Sequence, residues 1–253
     1  MNEAPETSTE TGTETGTETG TEIPPELVTQ MTGWRRDFHR HPEPGFAEER
    51  TSAHIASLLE SFGIEVHRNI GKTGIVGILQ RGNGPGSIAF RADMDALPVT
   101  ETGTPEWVSV HDGAMHACGH DGHTAMLLGA ACHLAAKGDF NGRIVFIFQP
   151  NEKHGHSAGA MIDDGLFQRF PADAVFAMHN IPGMKAGSFA TRAGPMTASE
   201  SLFELSVTAR GGHAALPHMG VDAILVGAQL VTALQSIVSR KLDPARNGVV
   251  SIT

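Results

Sequence analysis

The stretch RIVFIFQ, residues 143–149, is a run of β-forming residues that is apolar at consecutive positions and stops at Pro150. A strand of this kind has both faces buried, which is typical of a parallel sheet covered by helices on each side. The run is preceded by DGHTAMLLGAACHLAAKG, residues 121–138, which we interpret as a long helix ended by Gly138. A buried strand after such a helix predicts an α/β fold.

The same alternation of helices and strands extends outward in both directions. Apolar periodicity predicts further helices at 24–43, 49–63 and 158–169, and strands at 64–68, 74–80, 87–92 and 173–180. We therefore expect a mixed, largely parallel sheet covered by helices, which makes up an α/β domain over residues 23–193. Ligands bind such sheets beyond the carboxyl ends of the strands, so functional residues are expected just after the strands end.

The sequence changes character after Gly194. SLFELSVTAR, residues 201–210, alternates apolar and polar residues, which favours an antiparallel strand with one face in water. Residues 221–240 predict an amphipathic helix, and VVSIT, residues 249–253, predicts the start of another strand. This piece is too short to be a complete domain, so we expect residues 194–253 to be part of an α+β domain in a chain truncated at Thr253.

The first 22 residues contain the repeat ETGT at 10–13, 14–17 and 18–21. The repeat has no apolar residue to bury, so this tail is predicted to be disordered. The net charge of the chain is −10, and six of the excess negative charges lie in the tail, which leaves −4 for the rest. A mildly acidic body gives no support to binding of nucleic acid or of an anionic membrane.

The cysteine content and the amino terminus bear on the compartment. Only two cysteines occur, Cys118 and Cys132, which implies no disulfide framework and favours a reducing environment. The amino terminus lacks the basic and apolar regions of a secretory signal, and we find no apolar run of about 18 residues, the length needed to span a membrane. The sequence therefore predicts a cytoplasmic protein.

Reactive side chains follow three predicted strands and begin the long helix. They are Asp93 and Asp95 after 87–92, Glu152 after 143–149, His179 after 173–178, and Cys118 and His120 at the entry to the helix. Thiolate and imidazole are ligands suited to zinc and neighbouring transition metals, and a carboxylate beside a metal can activate water. Because these ends meet at one edge of the sheet, their convergence indicates a functional site.

Each of these residues also has a plainer interpretation. The aspartates and the Cys118 region could cap a helix or form turns, His179 could be a satisfied structural group, and Glu152 a solvated loop carboxylate. A different class of enzyme would use Cys118 as a nucleophile with a nearby histidine as its base. We favour this less, because the neighbours of Cys118 are metal ligands rather than an orienting triad.

Six motifs occur in order along the chain. They are FRADMDALP (90–98), MHACGHDGHTAMLLGAA (115–131), FQPNE (148–152), MHN (178–180), GGHAALPH (211–218) and IVSRKLDP (237–244). With these motifs, and with WRRDFHRHPEPGFAE (34–48), the chain resembles the amidohydrolase branch of the dinuclear-metal aminoacylase/carboxypeptidase family. That branch includes hippurate hydrolase, N-acyl-amino-acid deacylases and indole-acetyl-amino-acid hydrolases. The similarity runs from about Trp34 to the last residue.

The resemblance implies a fold and an activity. The fold is a zinc-peptidase-like catalytic domain with an inserted lid domain, through which a homodimer would form. The activity is metal-dependent hydrolysis of an N-acetyl or N-benzoyl type N-acyl amino acid, a small molecule, to a carboxylate and a free amino acid. Two divalent ions would serve it, zinc or manganese, with cobalt or nickel as alternatives.

Roles follow from the resemblance, motif by motif. It implies Cys118, His120 and His179 as metal ligands. It implies that Asp95 orients the site, and that Glu152 is the general base that activates water and later protonates the leaving amine. His213 would donate to the oxyanion, often across a dimer interface. From the residues alone, His213 would be a polar turn residue.

Two features depart from the family pattern. The family has a second glutamate, a metal ligand, directly after the base, and this chain has Lys153 there. A protonated lysine cannot coordinate a metal, so Lys153 could be a ligand only if burial deprotonated it. His154 or His156 could take the place of the missing ligand. A further histidine ligand lies near the end of the full catalytic domain, beyond Thr253. A second interpretation is therefore a truncated or degenerate family member that keeps the fold and binds metal weakly.

Overall fold

The computed structural model describes residues 23–154, 157–197 and 199–253. The predicted disordered tail, residues 1–22, and the alternative ligand His156 lie outside the described residues, as does the side chain of His154. The chain divides into two compact units with the boundary between Pro182 and Gly183. The sequence placed the boundary between domains at residues 193 and 194.

Within the described residues the first unit contains five α-helices, a short 3₁₀ helix at Glu152–His154 and five strands. The helices are α1 Pro25–Arg40, α2 Glu49–Ser61, α3 His120–Lys137, α4 Ser157–Asp163 and α5 Leu166–Arg169, and the strands are β1 Glu65–Ile70, β2 Gly74–Arg81, β3 Ser87–Asp93, β4 Gly142–Gln149 and β5 Ala174–Ala177. One predicted helix, 158–169, is divided in two. Gly165 adopts a left-handed backbone with φ of 84°, which ends the first piece before α5 begins.

The five strands form one sheet in the order β1-β2-β4-β3-β5. β3 runs parallel to both β4 and β5, while β2 is antiparallel to its neighbours β1 and β4. Four of the five strands therefore point in the same direction, which confirms the prediction of a mixed, largely parallel sheet. β5 is an edge strand, and its apolar residues Val175 and Phe176 are about half exposed.

The position of β4 in the middle of the sheet explains why residues 144–148 are all apolar. Phe146 and Phe148 pack into the cluster that contains residues of α1, α2 and α3, on one face of the sheet. Val145 and Ile147 pack into a second cluster with Met161 and residues 166 and 170, on the other face. Alternate residues of a strand point to opposite faces, so a covered central strand must be apolar throughout.

The second unit, residues 183–253, is described here by itself. Its main element is α6, Ala223–Ser236, which is followed by a π-helical turn at Ile237–Lys241. The Asp222 side chain caps α6 by accepting hydrogen bonds from the backbone N–H groups of Ile224 and Leu225. By length and apolar composition alone, Ala223–Lys241 could cross a membrane, which is weak evidence because core helices of soluble proteins share these properties.

Two predicted strands of the second unit do not form. Residues 201–210 and 249–253 contain no assigned strand within the described part of the chain. A strand needs a neighbour for its backbone hydrogen bonds, and an isolated pair is marginal in water. The alternating pattern of residues 201–210 is therefore insufficient without a paired strand beside it.

Candidate metal centre and base-bearing turn

The carboxyl ends of β3, β4 and β5 lie at one edge of the sheet, and the amino terminus of α3 meets them there. Asp93, the last residue of β3, is in register with Gln149, the last residue of β4. Gly119, directly before α3, has φ of 88°, and a Cβ atom there would be 2.5 Å from the side-chain oxygen of Asn180. A glycine at this position thus lets the segment that contains Cys118 approach the turn after β5.

Three predicted ligands come together at this edge. One ligand atom from each of Cys118, His120 and His179 lies within 4.8 Å of the others. Cys118 Sγ is 3.5 Å from His179 Nε2. A thiolate and two imidazoles form a donor set that suits zinc and other borderline-soft divalent ions.

The two imidazole rings are oriented so that Nδ1, and not Nε2, carries the ring proton in each. His120 Nδ1 lies 2.9 Å from Asp95 Oδ1, and because a carboxylate only accepts, Nδ1 carries the proton. His179 Nδ1 donates to the backbone oxygen of Asn180 at 2.7 Å. Each ring therefore presents an Nε2 lone pair, the arrangement found in histidines that ligate metals.

One of these atoms is buried without a hydrogen-bond partner. His120 is fully buried, and its Nε2 atom has no hydrogen bond within the described residues. An unpaired buried polar atom costs free energy of about 1–3 kcal/mol unless something satisfies it. A divalent ion between Cys118, His120 and His179 would satisfy it, so these residues fit a metal ion.

Glu152 lies on the turn that follows β4. Its Oε2 atom is 3.7 Å from His120 Nε2, and the residue is partly exposed. Asp95, His120 and Glu152 form a second group with ligand atoms within 4.8 Å of one another. A partly exposed carboxylate beside the free imidazole nitrogen is placed to exchange protons with a molecule bound at the three-ligand group.

The backbone before Glu152 is held by a buried carboxylate that the sequence analysis missed as a site residue. Glu48 accepts hydrogen bonds from the backbone N–H of Asn151 at 2.8 Å and from Thr73 Oγ1 at 2.6 Å. Asn151 adopts φ of 47°, and a Cβ atom on Gly45 would overlap its side-chain oxygen. Burial raises the pKa of Glu48 despite these hydrogen bonds. Glu48 therefore positions the turn that contains Glu152.

Lys153 points into the same site. Its Nζ atom is 3.0 Å from Cys118 Sγ and 3.1 Å from Glu152 Oε2, and its backbone N–H donates to Asp95 Oδ2 at 3.0 Å. Burial lowers the pKa of Lys153, but the interactions with Cys118 and Glu152 outweigh burial, so the pKa is raised above its ordinary value. The side chain is thus an ammonium at neutral pH, and burial does not deprotonate it.

Asp95 and Asp93 are both held as carboxylates by their partners. Burial raises the pKa of Asp95, but hydrogen bonds from His120 and from the Lys153 backbone outweigh it and lower the pKa. Burial likewise opposes ionisation of Asp93, and His123 and Arg91 outweigh it to lower the pKa. Asp93 therefore belongs to the hydrogen-bond network around α3, whereas the sequence left it open between chemistry and turn formation.

A second histidine of α3 connects Asp93 to the turn after β5. His123 Nδ1 is 2.6 Å from Asp93 Oδ1, and His123 Nε2 accepts the backbone N–H of Asn180 at 3.1 Å. The sequence analysis assigned no role to His123 or Asn180. The sequence does contain a signal for His123. It lies three positions after His120, and residues three apart on a helix share a face.

An ion pair behind the site fixes the start of α3 against α1. His39 Nδ1 is 2.8 Å from Asp121 and His39 Nε2 is 3.2 Å from Glu101, so both ring nitrogens donate to carboxylates. The hydrogen bond to Asp121 is the largest cause that raises the pKa of His39. Arg35 also pairs with Asp121 at 2.9 Å. These contacts involve residues of the motif at 34–48, whose role the sequence did not reveal.

His213 belongs to the second unit, in an exposed turn where its Nδ1 atom accepts the backbone N–H of Ala215 at 3.1 Å. This contact is what a polar turn residue makes. The role of oxyanion donor stays a prediction.

The chain matches one family model and many known proteins. The model is described as peptidase family M20/M25/M40 and matches residues 89–250. A hippurate hydrolase of Campylobacter jejuni is 46% identical over 227 residues, which cover 90% of this chain and 59% of that protein. An N-acetyl-L-cysteine deacetylase of Bacillus subtilis is 42% identical over 229 residues, which cover 89% of this chain and 54% of that protein.

Solved structures show the same similarity. One from methicillin resistant Staphylococcus aureus, assigned as an aminohydrolase, has a TM-score of 0.70 at 37% identity and covers 89% of this chain and 61% of that chain. A dinuclear metal binding peptidase of Bacillus subtilis has a TM-score of 0.59 at 39% identity and covers 62% of this chain and 44% of that chain. This chain thus spans less than two thirds of the length of these proteins.

Proposed function

The chain belongs to peptidase family M20/M25/M40, and from this premise we propose that it hydrolyses the amide bond of N-acyl amino acids with the help of a divalent metal ion. The products are a carboxylate and a free amino acid. The observation behind the metal requirement is the buried, unpartnered Nε2 atom of His120 beside Cys118 and His179. The hippurate hydrolase and the N-acetyl-L-cysteine deacetylase point to the substrate class, N-benzoyl and N-acetyl amino acids.

Cys118, His120 and His179 would hold the ion. When bound, a divalent ion polarises a carbonyl group and lowers the pKa of water. The resemblance implies two ions, and the three ligands described here fit one of them. Zinc is the metal that the thiolate and imidazole donors favour, with manganese, cobalt and nickel as the alternatives.

Glu152 is the proposed general base. It takes a proton from the attacking water and returns it to the amine that leaves, because a single carboxylate beside the reacting groups can serve in both directions. Its position next to His120 and Lys153 supports this role. Glu48 acts on Glu152 through the backbone of Asn151, so it is a positioning residue.

Asp95 is proposed to orient the site rather than to react. It fixes the proton of His120 on Nδ1 and accepts the backbone N–H of Lys153, so one carboxylate holds both a ligand and the turn after β4. His213 is proposed to donate to the oxyanion from the lid domain, residues 194–253. The GGHAALPH motif supports this role.

The test is hydrolysis of N-benzoylglycine and N-acetylcysteine by the chain loaded with zinc or manganese. We expect Glu152→Gln to lower kcat about 10²- to 10⁴-fold, because the proton transfer is lost. Asp163→Asn, an exposed carboxylate on α4, is the matched control and should keep the wild-type rate.

Three outcomes separate the proposal from its alternatives. Turnover that a chelator abolishes and added metal restores supports the metal-dependent amidohydrolase. Turnover that resists the chelator and is lost on alkylation of Cys118 supports the cysteine nucleophile. Bound metal without turnover in any loaded form supports the non-catalytic family member.

Further properties belong to the proposal. We expect a cytoplasmic enzyme that acts on a small molecule. We expect neither nucleic acid nor a membrane as partner, because residues 23–253 carry a net charge of −4. A homodimer through residues 194–253 is expected from the resemblance. Sedimentation of the purified chain tests the dimer, since a monomer at all concentrations contradicts it.

A further inference from the structure

Lys153 occupies an unusual place for a cation. Its ammonium group lies 3.0 Å from Sγ of Cys118, a candidate metal ligand, and 3.1 Å from Oε2 of Glu152, the proposed general base. Only about a quarter of its side chain is exposed. Most lysine side chains extend into solvent. The Lys153 side chain instead lies among the groups that would bind a metal.

Cys118 faces two cationic positions. Its sulfur lies within 4.8 Å of the ligand nitrogens of His120 and His179, which together can hold an ion. The same sulfur is 3.0 Å from the Lys153 ammonium. A thiolate gains from both neighbours, whereas two dications and an ammonium around one sulfur would repel each other strongly at these distances.

The proposed function and the family resemblance together imply two ions, and Lys153 stands where the resemblance implies a carboxylate ligand of the second. An ammonium offers three donors and no lone pair, so it cannot coordinate. It supplies a single positive charge at a fixed distance from the thiolate and from the proposed base. Lys153 therefore does not fit a site for a second ion.

Resting on the proposed function, we infer that this chain binds one divalent cation through Cys118, His120 and His179, and that the Lys153 ammonium replaces the second cation. Lys153 then has two effects. It neutralises part of the negative charge of Cys118 and Glu152, and it excludes a second dication by charge and by occupying the space beside the sulfur.

The test counts bound ions by equilibrium dialysis against cobalt, with the thiolate-to-cobalt charge-transfer absorption as a second readout. The wild-type chain should saturate at one ion. Lys153→Met should also bind one ion, at least about tenfold more tightly, because the repulsion at close range is gone. Lys153→Glu should bind a second ion on the same thiolate. The control Lys137→Glu, at the exposed end of α3, should match wild type.

Two tightly bound ions on the wild-type chain would overturn the inference, even if a variant did not fold. An unchanged count and affinity in both folded Lys153 variants would overturn it as well. The outcome is separable from that of the proposed function. One bound ion without turnover supports the inference and contradicts the proposed function. Two bound ions with turnover contradict the inference and support the proposed function. No bound ion on any variant contradicts both.

Discussion

The two units of the chain differ in how far their apolar residues are buried. In the first unit every residue of β4 except Arg143 is buried, and Phe146 and Phe148 are fully inaccessible. In the second unit Leu202, Phe203 and Ile224 are between 67% and 85% exposed. The contrast shows that a strand pattern is buried along a strand only where neighbouring strands pair with it and helices cover it.

The candidate functional residues also differ between the two units in how firmly they are held. All three candidate ligands and Glu152 lie in the first unit, on backbone that the sheet and α3 hold in place. Buried hydrogen bonds that Asp95, Glu48 and Asp93 accept fix the groups that react or bind. His213 lies in the second unit, on an exposed turn, where its Nδ1 atom accepts the backbone N–H of Ala215. The contrast can be tested by changing one residue in each region.

The largest difference in stability is expected between two phenylalanines. Phe148→Ala should lower the free energy of unfolding by about 3–5 kcal/mol, because it leaves a cavity in the covered core. Phe203→Ala, at 67% exposure, should change it by less than about 0.5 kcal/mol. Urea unfolding of both variants measures this, and equal effects would mean that residue 203 is covered in solution.

Glu48 gives an intermediate effect and a pH dependence. Glu48→Gln should cost about 1–3 kcal/mol at pH 5, because one amide cannot accept both the Asn151 and the Thr73 hydrogen bonds. Burial raises the pKa of Glu48 in the folded state above the ordinary value of 4.5. The folded protein therefore holds the proton more tightly, and the stability due to this group is lost as the pH rises through the folded pKa.

The difference between wild type and Glu48→Gln should accordingly shrink from pH 5 to pH 7. Taking the difference removes the opposite trend of Asp93, Asp95 and Asp121, whose pKa values are lowered. Glu49→Gln, one residue further and exposed, is the control and should show no such trend. A difference that grows with pH would contradict the assignment of a raised pKa to Glu48.

A smaller loss of stability than at Phe148 or Glu48 is expected at the cap of α6. Asp222→Ala removes the acceptor of the Ile224 and Leu225 N–H groups at 2.9 and 3.0 Å, which should cost about 1 kcal/mol. Hydrogen exchange should become faster in α6 and stay unchanged in β4. Faster exchange in β4 as well would show that the two units unfold together.

The first unit was predictable from sequence because its signals are local. β4 was predicted to within one residue at its start, since consecutive apolar residues between Gly142 and Pro150 allow little else. The residues that approach one another at the sheet edge, Cys118, His120 and His179, could be anticipated because parallel strands end together. Their roles stay predictions.

The missed features depend on partners distant in sequence. Glu48 meets Asn151 across 103 positions, and His123 meets Asn180 across 57. Nothing in the local pattern of a buried glutamate reveals which backbone it holds. The strands expected at 201–210 and 249–253 failed for the same reason, because strand pairing requires a partner and the alternating pattern does not provide one.

The contacts of Gly45 and Glu48 with Asn151 have a consequence for sequence variation among relatives. Residues before α2 fix the turn that presents Glu152, so a change at any of these positions is tolerated only with compensation at the others. We expect these positions to covary among relatives as tightly as direct neighbours do. A genetic screen for lost activity should accordingly recover substitutions at Gly45 and Glu48 alongside those at the site itself.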